Sequence, residues 1–373
     1  MPYGTVNADV IQTSTSGGTL GAGDASAMKN RIINGAMVID QRNAGASVTI
    51  TSDGLYTLDR WQAYSDVGTS KYSVQQNAGS VTPPVGFTNY LGVTSLATTS
   101  VGSADYYMLS QKIEGYNVAD LGFGTANAKT VTLSFWVRSS LIGTFGGAIQ
   151  NNAGNRSYPF TYTISVANTW EYKTVTIAGD TSGTWTTTNT AGIILRIGLG
   201  VGSTSSGTAG AWAGATYYSA TGATSVVGTN GATFYITGVQ LEVGSQATGF
   251  EYRQYTNELQ LCQRYYFKVL PAAGSIAMAV TTNPTTTSSR AFFVLPVTMR
   301  VAPTALEQTG TASDYRINAA NANTTLSSVP TLGATLPNLV RVDSIVASGL
   351  TAGQAGSLES NSANGFIALT AEL

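Results

Sequence analysis

Short runs in which apolar and polar residues alternate follow one another along most of the chain. In the run TVTLSFWVR the apolar members are Val131, Leu133, Phe135 and Val137. Side chains of a β-strand point to opposite faces with a period of two, so this spacing predicts a half-buried strand. Trp136 falls on the other face of that strand, away from the predicted core.

Runs of the same kind fill residues 30–250, and each is rich in Val, Ile, Thr, Tyr and Phe. They read NRIINGAMVID, YTLDRWQAYS, KYSVQQ, YYMLSQKIEG, TVTLSFWVRSS, PFTYTISVA, WEYKTVTIAG, GIILRIGLGVG and TFYITGVQLEVG. Their length and spacing predict an all-β protein built as an antiparallel sandwich. A second set of short strands, punctuated by prolines, fills residues 271–373 and predicts a smaller C-terminal β-sandwich.

The period changes between these two sets, over residues 251–270. A spacing of three and four residues, typical of a heptad seam, relates Tyr252, Tyr255, Leu259, Cys262 and Tyr266. A helix this short needs packing to be stable, so it is predicted to lie either on a domain or on its copies in other chains. The segment CQRYYFKVL also favours a strand, and we therefore predict a helical connector that passes into a strand near Arg264.

Composition excludes several classes of function. Charged residues make up 10% of the chain and the net charge is −1, with no run of Lys or Arg, so nucleic acid is not a predicted partner. No apolar stretch is long enough for insertion into a membrane. With one cysteine and no histidine, the chain has neither a disulfide framework nor a Ser-His-Asp triad, and we predict no cofactor and no metal.

The first segment, residues 1–29, is rich in Gly, Ser and Thr and has too few apolar residues for a core of its own. It is either a flexible tail or an anchoring strand that becomes ordered against a partner. We predict the second, an anchoring segment.

The ordered set NRIINGAMVIDQRNAG, YTLDRW, QKIEG, TVTLSFWVRSS, TWEYKTVTIAG and FYITGVQLEVGSQATGFEYR resembles a known jelly-roll module. That module is shared by carbohydrate-binding modules of families 4, 9 and 22 and by many bacteriophage tail-fibre proteins. The continuation YTNELQLCQRYYFK is similar to the phage form. The resemblance implies a homotrimeric tail or neck fibre on the virion, made in the host cytoplasm. In such a trimer, the seam over residues 251–270 is predicted to join three chains about one axis. The resemblance also implies attachment to host-surface carbohydrate and contact with other tail or neck proteins through the N-terminus.

The chain departs from that family at one place. Carbohydrate-binding modules of this type often carry adjacent aspartates before the last strand, which contribute to a structural calcium site. The matching positions here are Thr237 and Gly238, neither of which has a carboxylate. Scattered oxygen ligands remain at Asp40, Asp53 and Asp59, but without the spacing of a calcium loop.

Aromatic residues outside the predicted core are the candidates for sugar binding, because the C–H face of a pyranose packs on a ring. They are Trp136, Trp185, Trp212, Tyr217 and Tyr218. The last three lie in a long Gly-rich loop over residues 203–231, where either a sugar or a neighbouring subunit would explain them. Trp61 and Trp170 lie in strand motifs and are predicted to fill the core.

Catalysis is not predicted. A glycosidase needs two carboxylates facing one cleft, and Glu114, Glu171, Asp105 and Asp180 show no paired arrangement. The sequence therefore favours a non-enzymatic fibre subunit that binds host glycans. A purely structural virion protein, such as a neck appendage, capsid decoration or connector, is the alternative, and a polysaccharide depolymerase is the least favoured.

Overall fold

The computed structural model describes residues 11–12, 19–20, 28–66, 68, 70–271, 276–320 and 322–373. The predicted anchoring segment lies almost wholly outside these ranges; within it, β1 (Ile11–Gln12) and β2 (Thr19–Leu20) pair in antiparallel fashion. Through the described ranges the chain is all-β apart from one α-helix and five short 3₁₀ turns. Those ranges contain no helix with the length and apolar character to cross a bilayer.

The larger unit contains fourteen strands. They are β3 (Val48–Thr49), β4 (Leu55–Leu58), β5 (Trp61–Ser65), β6 (Tyr72–Gln76), β7 (Leu91–Ser95), β8 (Tyr106–Glu114), β9 (Val131–Ser139), β10 (Gly143–Gln150), β11 (Ser157–Ile164), β12 (Glu171–Ile177), β13 (Ala191–Val201), β14 (Ser206–Gly207), β15 (Ser219–Ala220) and β16 (Thr233–Val243). The 3₁₀ turns of this unit are Ala78–Ser80, Gly115–Asn117, Ala119–Leu121 and Ser203–Ser205.

Twelve of these strands form two antiparallel sheets. Sheet I has the order β11-β10-β13-β8-β5-β4, and sheet II has the order β12-β9-β16-β7-β6-β3. The chain crosses from one sheet to the other repeatedly, for example from β8 to β9 to β10, which is the winding of a jelly-roll sandwich. The fold class predicted from the alternating runs is confirmed for this unit.

One apolar core lies between the two sheets. Sheet II contributes Val131, Leu133, Phe135 and Val137, and sheet I contributes Ile193, Leu195, Ile197 and Leu199, all at most 1% exposed. Each such side chain stabilises the fold by about 1.5–3 kcal/mol through removal from water. Because alternate residues of every strand point inward, the outer faces of the sheets carry the side chains that are free to bind.

The long loop over residues 203–231 lies against sheet I. Its strands β14 and β15 pair in parallel, and the amide of Thr224 donates to the carbonyl of Thr144 at 2.7 Å. Glycines in the sheet allow this close approach: a Cβ at Gly198 would lie 2.9 Å from Oγ of Ser219, and one at Gly146 would lie closer still. The loop is therefore held on the outer face of sheet I rather than extended into solvent.

The helix α1 spans Tyr255–Gln263, and strand β17 (Tyr266–Val269) follows it, so the change from helix to strand near Arg264 is confirmed. The five residues of the predicted seam do not share one exposed face. Cys262 and Tyr266 are buried inside their own chain, and Leu259 packs beside Cys262 against the jelly roll. Tyr252 and Tyr255 are exposed. The heptad spacing here reflects packing within one chain, which corrects the prediction of a continuous trimer seam.

The C-terminal unit contains the remaining strands. They are β17, β18 (Ala277–Thr282), β19 (Ser288–Val294), β20 (Ala305–Glu307), β21 (Tyr315–Ala319), β22 (Ala322–Thr325), β23 (Thr331–Thr335), β24 (Leu339–Ile345), β25 (Ala355–Ser360) and β26 (Ile367–Thr370). A seven-stranded sheet, β22-β21-β25-β18-β19-β24-β23, and a three-stranded sheet, β17-β26-β20, share one core. A 3₁₀ turn at Ala312–Asp314 precedes β21.

A buried ionic junction ties the two units together. The carboxylate of Glu372, after β26, contacts the guanidinium groups of Arg60 and Arg42 in the jelly roll; the contact with Arg42 Nη2 is 2.8 Å. The guanidinium of Arg60 also lies 3.6 Å from the ring centroid of Tyr265. Removing a buried charge from such a cluster leaves its partner unpaired in low dielectric, so the junction resists separation of the units.

A second carboxylate strengthens the same junction from the other side. Glu114, at the end of β8, accepts hydrogen bonds from Arg264 Nη2 and Tyr265 Oη, each at 2.6 Å. Burial acts to raise the pKa of Glu114, but these hydrogen bonds outweigh it and the pKa is lowered. Glu114 is therefore an ionised structural anchor for the segment that leads into the C-terminal unit.

Candidate functional site

The structure places two of the predicted sugar-binding tryptophans in a structural cluster. Trp212 and Trp185 pack edge-to-face at 5.4 Å, and both pack edge-to-face on Phe123. The indole of Trp212 donates to the carbonyl of Ala178 at 2.7 Å, and that of Trp185 donates to Ser182 at 3.1 Å. These contacts attach the long loop to the body of the jelly roll, with Trp185 buried and Trp212 half-buried.

The tyrosines of the same loop have different positions. The ring of Tyr217 lies against Gly207, where a Cβ would collide with it, and its carbonyl accepts a hydrogen bond from Gln150 Nε2 at 2.9 Å. Tyr218 reaches over the outer face of sheet I and packs edge-to-face on Tyr106, with ring centroids 4.9 Å apart. Both tyrosines are half-buried. Tyr218 is therefore the loop residue that contributes to the sheet surface.

Tyr218 meets a group of side chains that sequence reasoning did not single out. Cross-strand pairing aligns Arg196 of β13 with Ser110 of β8 and Gln62 of β5, and it aligns Met108 of β8 with Tyr64 of β5 in the next row. All of these residues point to the outer face of sheet I, because their strand neighbours Leu195, Leu109 and Ala63 are in the core. We call the group formed by Tyr64, Tyr106, Gln150, Arg196 and Tyr218 the Arg196 surface.

Arg196 lies at the centre of this surface. The guanidinium carbon is 4.7 Å from the ring centroid of Tyr64 and 5.4 Å from that of Tyr218. Its Nε donates to Oε1 of Gln150 at 3.1 Å. The hydroxyl of Tyr64 donates to Gln62 at 2.9 Å. The surface thus combines half-exposed rings with several orientated polar groups, the combination found in sites that bind small polar ligands.

Several polar atoms at the Arg196 surface have no partner among the described residues. They are Nη1 of Arg196, Oγ of Ser110 and Oγ of Ser219. A buried polar group without a hydrogen bond costs about 1–3 kcal/mol, so each of these atoms calls for a partner such as an ordered water or a ligand group. Tyr106 donates to Asp53 at 3.1 Å, and burial together with the charge of Asp53 raises the pKa of Tyr106, which keeps its hydroxyl protonated.

The outer face of sheet II carries a second group of rings. Trp136 of β9 pairs across the strands with Tyr172 of β12, at a centroid distance of 5.4 Å. Trp170 lies outside the main core, against Tyr90 and Tyr235, whereas Trp61 is fully buried. The prediction that both tryptophans fill the core therefore holds only for Trp61. The loop over residues 77–90 covers this cluster, because the indole of Trp170 donates to the carbonyl of Thr82.

The carboxylates considered for catalysis are each held by structural partners. Asp180 forms a two-pronged pair with Arg156, Glu171 accepts hydrogen bonds from Lys173 and two main-chain amides, and Glu114 belongs to the junction. Asp105 accepts a hydrogen bond from the amide of Gly102. Over the residues that the structure describes, no three His, Cys, Asp or Glu side chains converge as a metal site.

The fold defines a class: an antiparallel jelly-roll sandwich followed by a smaller β-sandwich. No family model matches the sequence, and no curated protein matches it. Among solved structures, the chain is similar to a putative sugar binding protein from Bacteroides thetaiotaomicron (12% identity, TM-score 0.33, 58% of this chain and 100% of that one). It is also similar to the family 11 carbohydrate-binding module from Clostridium thermocellum (14% identity, TM-score 0.27, 54% and 98%).

A further likeness is to the enzymatically active domain of tailspike protein 4 of bacteriophage CBA120. The identity is 12% and the TM-score is 0.32 over 58% of this chain, and the match spans only 22% of the tailspike chain. The neighbours are thus carbohydrate-binding modules and a phage tailspike domain, at low similarity.

Proposed function

We propose that this protein binds carbohydrate, with the Arg196 surface of sheet I as the contact site. The observation that supports this most is the arrangement around Arg196, where half-exposed tyrosine rings surround polar groups that lack partners. A sugar offers its C–H faces to the half-exposed rings of Tyr64, Tyr106 and Tyr218, and its hydroxyls reach Nη1 of Arg196 once the ring of Tyr218 is displaced.

The site belongs to a protein with an unusually uncharged surface. With 10% charged residues, the chain does not rely on long-range attraction, and short-range contacts are expected to provide the binding. A single surface of this kind binds weakly. Several copies on one particle would raise the avidity by linking the binding events.

The wider role that we propose is a homotrimeric bacteriophage fibre subunit of the tail or neck, exposed on the virion and joined to it through residues 1–29. The exposed Tyr252 and Tyr255 beside α1 are available for contact between chains. A structural virion protein without glycan binding is the alternative. We propose a non-enzymatic role because Glu114, Glu171 and Asp180 are all engaged in ion pairs.

A glycan array with variants at the surface tests the proposal. The wild-type protein is expected to bind a defined subset of bacterial surface glycans, and Tyr218→Ala or Tyr64→Ala should weaken binding about 2- to 12-fold, since an aromatic contact contributes about 0.5–1.5 kcal/mol. Tyr172→Ala, on the outer face of sheet II, is the matched control and should bind as the wild type does. Absence of binding to every glycan would favour the structural alternative.

A further inference from the structure

Arg196 is a buried cation without an anionic partner. It is 8% exposed, and no carboxylate of the described residues lies within 4.0 Å of its guanidinium. By contrast, the buried Arg60 and the half-buried Arg156 and Arg316 each contact a carboxylate. Gln150, its hydrogen-bond partner, is neutral. A buried charge is costly unless it is paired, so an arginine left in this state indicates a missing counter-charge.

A second cation lies beside it on the same face. Lys112 of β8 pairs with Ile194 of β13, two residues from Arg196, and its Nζ donates to the main-chain oxygen of Leu373 at 2.8 Å. Burial and then the charge of Arg196 lower its pKa, which agrees with an excess of positive charge at this place.

The acidic groups around the surface do not supply the counter-charge. Asp53 accepts hydrogen bonds from Tyr106 Oη and the amide of Ser65, both at 3.1 Å. Glu372 is occupied by Arg42 and Arg60. The charge of Arg196 therefore remains for a ligand to balance.

We propose that the Arg196 surface selects an acidic sugar, a hexuronate whose carboxylate binds the guanidinium of Arg196 while its ring packs against Tyr64 and Tyr218. This rests on the proposed carbohydrate binding and specifies its substrate class. The planar guanidinium matches a carboxylate in two-pronged geometry. Tyr218 belongs to the loop over residues 203–231, and displacement of its half-buried ring gives the carboxylate access to Nη1 of Arg196.

The test uses purified full-length protein and uronate-containing oligosaccharides, each paired with its carboxyl-reduced, neutral form. Isothermal titration of the wild type should give a Kd for the acidic form about 10- to 100-fold below that for the reduced form, because hydrogen bonds to charged groups are worth about 1.5–3 kcal/mol. Arg196→Gln should abolish the difference between the Kd values for the two forms. Lys112→Gln, at a half-exposed position, should reduce the ratio between the Kd values of the reduced and acidic forms by about 1.5- to 5-fold.

Arg138→Gln is the matched control, since Arg138 lies on the outer face of sheet II, 5.6 Å from the ring centroid of Tyr235, and also forms no ion pair among the described residues. It should keep the full preference for the acidic form. Equal affinity of the wild type for acidic and reduced forms would overturn the inference but leave carbohydrate binding intact. Binding restricted to sulfate esters, or loss of the preference in Arg138→Gln, would also overturn it. Absence of binding to either form would remove the proposed function itself.

Discussion

The junction between the two units gives the sharpest prediction about stability. Glu372 is 7% exposed and contacts Arg60, whose side chain is 1% exposed, as well as Arg42. Glu372→Gln keeps the shape of the side chain but removes its charge, and Arg60 is then left buried without an anion. Breaking a buried pair in this way costs about 3–5 kcal/mol, so we expect a loss of that size in the free energy of unfolding.

Two spectroscopic signals make the effect specific to the junction. Tryptophan fluorescence reports the jelly roll, because all five tryptophans lie between Trp61 and Trp212. Far-ultraviolet circular dichroism reports both units. In urea the wild type should show coincident transitions by the two signals. In Glu372→Gln the C-terminal unit should unfold first, and the circular dichroism midpoint should fall below the fluorescence midpoint.

A surface ion pair provides the control for this experiment. Asp120 pairs with Arg31 at 2.8 Å, but its side chain is 47% exposed, so Asp120→Asn should change the free energy of unfolding by at most about 1 kcal/mol. If Glu372→Gln also stays within about 1 kcal/mol of the wild type, with coincident transitions, the junction does not couple the units and the reasoning is refuted.

Three further predictions concern pH, the loop and assembly. Burial raises the pKa of Asp59 from 3.8 to about 6, so the stability that protonated Asp59 contributes is present below pH 4 and is lost as the pH rises through 6. In urea titrations between pH 4 and 7, Asp59→Asn should remove about 3 kcal/mol of the pH dependence of the free energy of unfolding. The same pH dependence in the variant as in the wild type would contradict this prediction. Trp212→Ala should lower stability by about 2–4 kcal/mol and weaken glycan binding, because it frees the loop that carries Tyr218. Light scattering should give a trimer for the wild type and a smaller mass for Tyr255→Ser; a wild-type monomer would rule out the fibre.

The sequence predicted the elements well because their signals are local. Alternation in TVTLSFWVR placed Phe135 in the core and Trp136 outside it, and the structure has both there. The change from helix to strand near Arg264 was also visible in the residue types. A periodic pattern does not show, however, whether its apolar face packs within one chain or between chains. In the structure Cys262 and Tyr266 are buried within one chain.

The candidate site could not be predicted in the same way, because it depends on register between distant strands. Tyr64, Tyr106, Arg196 and Tyr218 lie on three strands and one loop, and only the pairing of β5, β8 and β13 brings them together. One signal was present: Arg196 is the only charged residue in the apolar strand Ala191–Val201. The number of aromatic residues in the loop indicated the position of the site less well, since Trp212 holds the loop against the jelly roll through its hydrogen bond to Ala178.

Hydrogen–deuterium exchange of the protein with and without its strongest array ligand tests the central claim most directly. We predict slower exchange with ligand in β8, β13 and the loop over residues 203–231, the segments that form the Arg196 surface. Protection confined to β9 and β12, around Trp136 and Tyr172, would place the carbohydrate on sheet II and contradict the assignment. Failure to find any glycan that protects the jelly roll would contradict carbohydrate binding altogether.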